Sequence, residues 1–146
     1  MFKKGLSLIM VIVLLFGLST VSYADPTVHT DKIIAENGSA IQPMYDYTNK
    51  FSETLSISGG TATCKASLTG INGTTTKIVI KMTLQKKTLL WWSEVETWSA
   101  TYNTYYGTLS KTATVKSGTY RVKAVYTVYS GSNSESITDY SSQKTY

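Results

Sequence analysis

Cysteine occurs once in the 146 residues, as Cys64, so no internal disulfide can form and packing alone has to hold the domain together. Proline occurs twice, at Pro26 and Pro43, and the chain after Pro43 has none. The single histidine, His29, together with the single cysteine, excludes the usual zinc ligand sets and leaves Cys64 without a nearby base to make it a nucleophile. There is no glycine-rich phosphate loop and no serine in a nucleophile-elbow setting beside a histidine. No catalytic residue, metal ligand or cofactor site is therefore expected, and the chain does not read as an enzyme. Charge is sparse too, at 16% of residues, and no basic run exceeds Lys86-Lys87, which argues against nucleic acid as a partner.

What is present begins with an export signal. Lys3 and Lys4 precede an apolar run from Leu6 to Leu18, and Ser22-Tyr23-Ala24 places small residues where a signal peptidase reads them. Cleavage is expected after Ala24, leaving a secreted chain that starts at Asp25. The apolar run is shorter than the roughly 20 residues a membrane-spanning helix needs. Without Lys3 and Lys4, 12 basic residues face 9 acidic ones, a net charge of +3. Residues 25–43 lack periodicity and hold both prolines, so they read as a leader, and a single domain is expected over 44–146.

The domain is written in alternation. From Thr119 to Ser130 the even positions Tyr120, Val122, Ala124, Tyr126 and Val128 are apolar, while Arg121 and Lys123 fall on the odd ones, the pattern of a strand with one face in a core. Lys77 to Lys86 repeats it with Ile78, Ile80, Met82 and Leu84. In Thr61 to Leu68, Ala62, Cys64, Ala66 and Leu68 share a parity, which makes Cys64 a small buried hydrophobe. Further extended runs lie at Met44 to Phe51 with Thr54 to Ser58, at Trp91 to Asn103, at Thr108 to Lys116 and at Ser134 to Tyr146, separated by turns such as Gly59-Gly60 and Asn72-Gly73. About seven strands at intervals of about ten residues, with gaps too short for parallel crossovers, predict an all-β antiparallel two-sheet sandwich.

Among sandwiches the immunoglobulin-like type fits best. Gly118-Thr119-Tyr120 at the entry to the penultimate strand matches a tyrosine corner, in which the hydroxyl bonds back to nearby backbone. Cys64 stands where an antibody domain has its first cysteine, but the second position, two residues after the tyrosine, is Val122. The inter-sheet disulfide of antibody domains is accordingly absent.

Ile57-Ser58-Gly59-Gly60-Thr61-Ala62-Thr63-Cys64, Thr75-Thr76-Lys77-Ile78, Thr83-Leu84-Gln85-Lys86-Lys87, Val95-Glu96-Thr97-Trp98 and Gly118-Thr119-Tyr120-Arg121-Val122-Lys123-Ala124 together resemble an uncharacterised family of small exported β-sandwich proteins of Gram-positive bacteria. The resemblance spans about residues 41–146 and implies a fold without implying an activity. Where such proteins often carry a Gly/Ser turn after the lysine pair, this chain has Thr88-Leu89-Leu90-Trp91-Trp92.

Aromatic residues are the enriched resource. Trp91, Trp92, Trp98, Tyr102, Tyr105 and Tyr106 fall within sixteen positions and, with Leu89 and Leu90, form the candidate binding surface. Trp92, Val95 and Trp98 recur at threes and fit one strand face only if a bulge lies between Ser93 and Thr97. Glu94 and Glu96, at i and i+2, are expected to point the same way about 7 Å apart on an exposed face. Two kinds of function follow: a secreted binding module that meets a cell-surface glycan or a protein through the aromatic strand, or a protein that meets a membrane surface or another protein through an apolar hairpin tip around Leu89-Trp92.

Overall fold

Residues 44–146 are described by a computed structural model, and they form eight strands and no helix. The signal peptide expected over 1–24, with its cleavage site, and the leader expected over 25–43 lie outside the described residues. The strands are β1 (Thr48–Ser58), β2 (Thr61–Gly70), β3 (Lys77–Lys87), β4 (Trp92–Tyr102), β5 (Tyr106–Thr114), β6 (Thr119–Ser130), β7 (Asn133–Tyr140) and β8 (Lys144–Thr145). One sheet has the order β1-β2-β5; the other runs β4-β3-β6-β7, with β8 also paired to β6, and all pairings are antiparallel. In immunoglobulin lettering these sheets are A-B-E and C′-C-F-G.

Local chemistry explains the connections. Gly59 and Gly60 take φ of 54° and 75°, which a two-residue turn between the paired Ser58 and Thr61 requires and which side chains with a Cβ resist. The Asn72-Gly73 turn does not close a hairpin; it carries the chain from the first sheet to the second, with Thr74 and Thr75 N–H both bonded to the Ile71 carbonyl. Two expected strands differ from those observed. The first is continuous from Thr48, with only an irregularity between Thr48 and Lys50. The last divides into β7 and β8 because Ser141 leaves the regular ladder, its N–H bonding the Val122 carbonyl and its hydroxyl accepting the Val122 N–H. Hence there are eight strands where about seven were expected.

The core lies where the alternation placed it. Ala62, Cys64, Ala66 and Leu68 from the first sheet meet Ile78, Ile80, Met82, Leu84, Val122, Ala124, Tyr126 and Val128 from the second, all essentially without solvent contact. Each fully buried large side chain contributes about 1.5–3 kcal/mol. Tyr120 donates from its hydroxyl to the Lys116 carbonyl at 2.7 Å, the expected tyrosine corner, and the buried Val122 fills the place of the absent cysteine.

Candidate functional site

The eight residues expected to form one binding surface are divided by the fold among four places. Leu89, Leu90 and Trp91 form the tip of the β3–β4 hairpin, 96%, 80% and 63% exposed. Leu-Leu is a poor sequence for a tight hairpin turn, which favours residues tolerant of positive φ, and no described residue other than glycine has a positive φ. Thr88 supplies the closure instead: its N–H donates to the Trp91 carbonyl at 2.8 Å, its hydroxyl donates to the same carbonyl at 2.7 Å, and Trp91 N–H reaches that hydroxyl at 3.1 Å. The tip is thus a held turn that displays its side chains instead of folding them back.

Trp98 and Tyr102 turn inward, a departure from the expected exposed strand. The register pairs them with Met82 and Ile78 of β3, and both pack on the core. Tyr102 lies over Gly107, where an added Cβ would come 2.5 Å from ring atom Cδ2, and its hydroxyl donates to the Thr108 carbonyl. Tyr105 and Tyr106 sit at the opposite end of β4 from the tip, edge to face with centroids 5.5 Å apart. Tyr105 there lines a depression of about 490 Å³ with Met44, Tyr45, Thr48 and Asn72.

Trp92 takes a fourth position. The pairing of β3 with β4 slips between Leu84 and Gln85, which face Glu96 and Glu94, so Val95 is the extra residue of a bulge within the expected interval. The slip puts Trp92 and Glu94 on the outer face of the second sheet and Glu96 on the inner side. Glu94 and Glu96 therefore do not point the same way, and no carboxylate pair exists there. On the outer face the Trp92 ring lies 4.2 Å from the guanidinium carbon of Arg121, and the Tyr140 ring lies 4.1 Å from it. Arg121 Nε donates to Gln85 Oε1 at 2.9 Å, and this stack buries Gln85 to 6% exposure on an outward position.

No family model and no curated protein matches the chain. Among solved structures, the crystal structure of wild-type OgpA from Akkermansia muciniphila is similar with a TM-score of 0.44 and 10% identity, over 75% of this chain and 33% of that one. The solution structure of R. palustris CsgH is similar with a TM-score of 0.38 and 16% identity, over 61% of this chain and 88% of that one. The chain thus spans about a third of the OgpA chain.

A second polar cluster escaped the sequence reading. Glu53 occupies an inward parity on β1 with Phe51, Leu55 and Ile57, and its carboxyl accepts from the Tyr126 hydroxyl inside the sandwich. Asp139 of β7, on the same inner side, adds its negative charge to the surroundings of Glu53. Burial raises the Glu53 pKa most, the Tyr126 bond pulls it back, and Asp139 raises it further, to about 7. Nearby, Glu135 accepts from Asp46 N–H at 2.9 Å, Tyr47 N–H at 3.1 Å and the Thr48 hydroxyl at 2.7 Å, tying the start of β1 to β7. An acid at an inward strand parity was the signal available for Glu53. Arg121 had a weaker one, since only its outward parity was visible.

At the tip the lysine pair is split in role. Lys86 Nζ donates to the Ser117 carbonyl at 2.9 Å and lies over the Tyr120 ring, whereas Lys87 is exposed beside the leucines. The tip offers aliphatic and indole surface with one adjacent positive charge, a set suited to contact and without a group for bond making. Among the described residues, no cluster of three or more His, Cys, Asp or Glu is placed to hold a metal ion.

Proposed function

We propose that the chain is an exported, non-enzymatic binding module that meets a membrane surface through its β3–β4 tip. Export rests on the signal over residues 1–24, and the Gram-positive resemblance agrees with it. The observation that carries the tip is the exposure of three consecutive large apolar side chains on a turn held by Thr88. Soluble monomers seldom leave such a patch uncovered. Aliphatic leucines offer little to a sugar ring, which stacks on aromatic faces, but they partition readily into the acyl boundary of a bilayer. Insertion would give about 1.5–3 kcal/mol for each fully buried leucine, with Lys87 adding about 1 kcal/mol near an anionic surface, so attachment is reversible.

Cosedimentation with vesicles of phosphatidylglycerol and phosphatidylcholine tests this reading. The wild type is expected in the pellet and Leu89→Ser/Leu90→Ser in the supernatant, with equal thermal midpoints. Equal partitioning of the two proteins, or wild type that stays in solution, removes the tip from the function. Concentration-dependent dimerisation that the double substitution abolishes would instead assign the tip to self-association.

A further inference from the structure

The outer face of the β4-β3-β6-β7 sheet collects positive charge. Strand parity places Lys77, Lys81 and Lys87 of β3 with Arg121 and Lys123 of β6 on it, and among the described acids only Glu94 joins them. The other described acids are turned away: Glu53, Glu135 and Asp139 face inward between β1 and β7, Glu96 faces inward from β4, and Asp46 precedes β1. The register opposes Lys81 to Val125 and Lys123 to Thr83, so these two lysines are diagonal neighbours at about 7–8 Å, with Arg121 two residues further along β6. Lys81, Lys123 and Arg121 thus step diagonally from β3 to β6, with Lys77 and Lys87 further out along β3.

Arg121 is the fixed point among them. Trp92 comes to its guanidinium from β4 and Tyr140 from β7, and Gln85 takes Nε from β3. Its two terminal nitrogens make no hydrogen bond among the described residues. A guanidinium already held in one orientation presents a forked pair of donors that matches the two oxygens of a carboxylate or phosphate, and its ordering cost has been met before any ligand arrives. Ser and Thr hydroxyls continue the same face past Lys123 and Lys81, from Thr97, Ser99 and Thr101 of β4 and Ser136 and Thr138 of β7.

We propose that this face binds an acidic polysaccharide, with Arg121 as the receptor for one anionic group and Lys81 and Lys123 meeting its neighbours. The hydroxyl carpet suits a sugar chain. A protein partner would want a desolvated apolar anchor, whereas Leu89, Leu90 and Trp91 lie at the tip and the exposed Tyr140 of this face is engaged by Arg121. Single-stranded nucleic acid would want a row of free aromatic platforms, whereas Trp92 and Tyr140 are occupied by Arg121 and Tyr129 by Lys77 at 3.8 Å. This surface is distinct from the Leu89-Trp91 tip and takes a different class of ligand.

The test is affinity electrophoresis and calorimetry of the exported chain against polygalacturonate, with neutral dextran as the control, at about 50 mM salt, where screening is moderate. Wild type is expected to bind polygalacturonate and not dextran. Arg121→Lys, which keeps the charge and loses the fork, is expected to weaken binding at least about tenfold. Lys81→Ser/Lys123→Ser, which leaves the stack untouched, is expected to weaken it and flatten its salt dependence. Leu89→Ser/Leu90→Ser is expected to bind polygalacturonate as wild type does, which separates this surface from the tip. Wild type that ignores polygalacturonate, an Arg121→Lys protein that binds as tightly as wild type, or tighter binding of single-stranded DNA or polyglutamate each overturns the proposal. Should Arg121→Lys fail to fold, unchanged binding by the double lysine variant overturns it equally.

Discussion

Glu53 shows how one inward parity can set an acid–base equilibrium. Its folded pKa, about 7, stands above the ordinary value of 4.5, chiefly through burial, so between those pH values the folded state holds more of the proton than the unfolded state does. Stability from this group is therefore full below about 4.5, falls as pH rises toward 7 and is flat above it. With allowance for solvent access, the loss is no more than about 2 kcal/mol. Urea midpoints at pH 5 and pH 8 should differ in that direction for wild type, and Glu53→Gln should remove that part of the slope; an equal slope in both proteins would count against the burial of the charge. Tyr126 and Asp139 are the groups that act on it, and Asp139 acts also on Tyr45, whose pKa is raised by burial and then by Asp139 and Glu135. Cys64 is the apolar counterpart. Burial, then Glu96, pushes its thiol up to about 11, so a thiol reagent should be slow on the native protein and fast after denaturation. Cys64→Ser should cost about 1–3 kcal/mol, because the hydroxyl would enter an apolar site.

Among the elements, β4 departs furthest from regular alternation. A bulge between Ser93 and Thr97 was expected as the way to put Trp92, Val95 and Trp98 on one face. It lies in that interval, at Val95, but it parts Trp92 from Trp98 instead of aligning them. What the bulge does to the aromatic residues was not legible, since it sends Trp92 outward and Trp98 inward. The β4–β5 end depends on Gly107 lying beneath Tyr102. Gly107→Ala should press its methyl into the ring, displace Tyr102 from the Thr108 carbonyl and cost about 1–3 kcal/mol, read from the urea midpoint. Gly107→Ala/Tyr102→Ala should recover part of that loss. A Gly107→Ala protein as stable as wild type would show that Tyr102 yields freely.

For the molecule as a whole, two sheets are joined by core packing and a few polar ties, with Glu53 bonded to Tyr126 across the sandwich and Glu135 gripping the entry to β1. With one cysteine in the whole sequence, the thermal midpoint should be the same with and without a reducing agent. A drop on reduction would reveal an intermolecular disulfide through Cys64. Intact mass of secreted material should correspond to a chain beginning at Asp25, and recovery of the full-length chain in the membrane fraction would refute cleavage after Ala24.

Alternation along the chain is enough to give the class of the fold and the two sides of its principal strands, because a period of two is a property of each extended segment and needs no partner. The single cysteine says as well that no disulfide helps, and the Gly59-Gly60 turn and the tyrosine corner are marked, because their requirements are met within a few residues. Tertiary structure alone decided which outward residues meet. Arg121 lies 29 positions from Trp92 and 19 from Tyr140, and only the order β4-β3-β6-β7 brings the three together. It also decided that Glu53 faces Tyr126 and Asp139 and that the tip stands clear of the sheets, because both depend on how the sheets pack, which no single strand encodes.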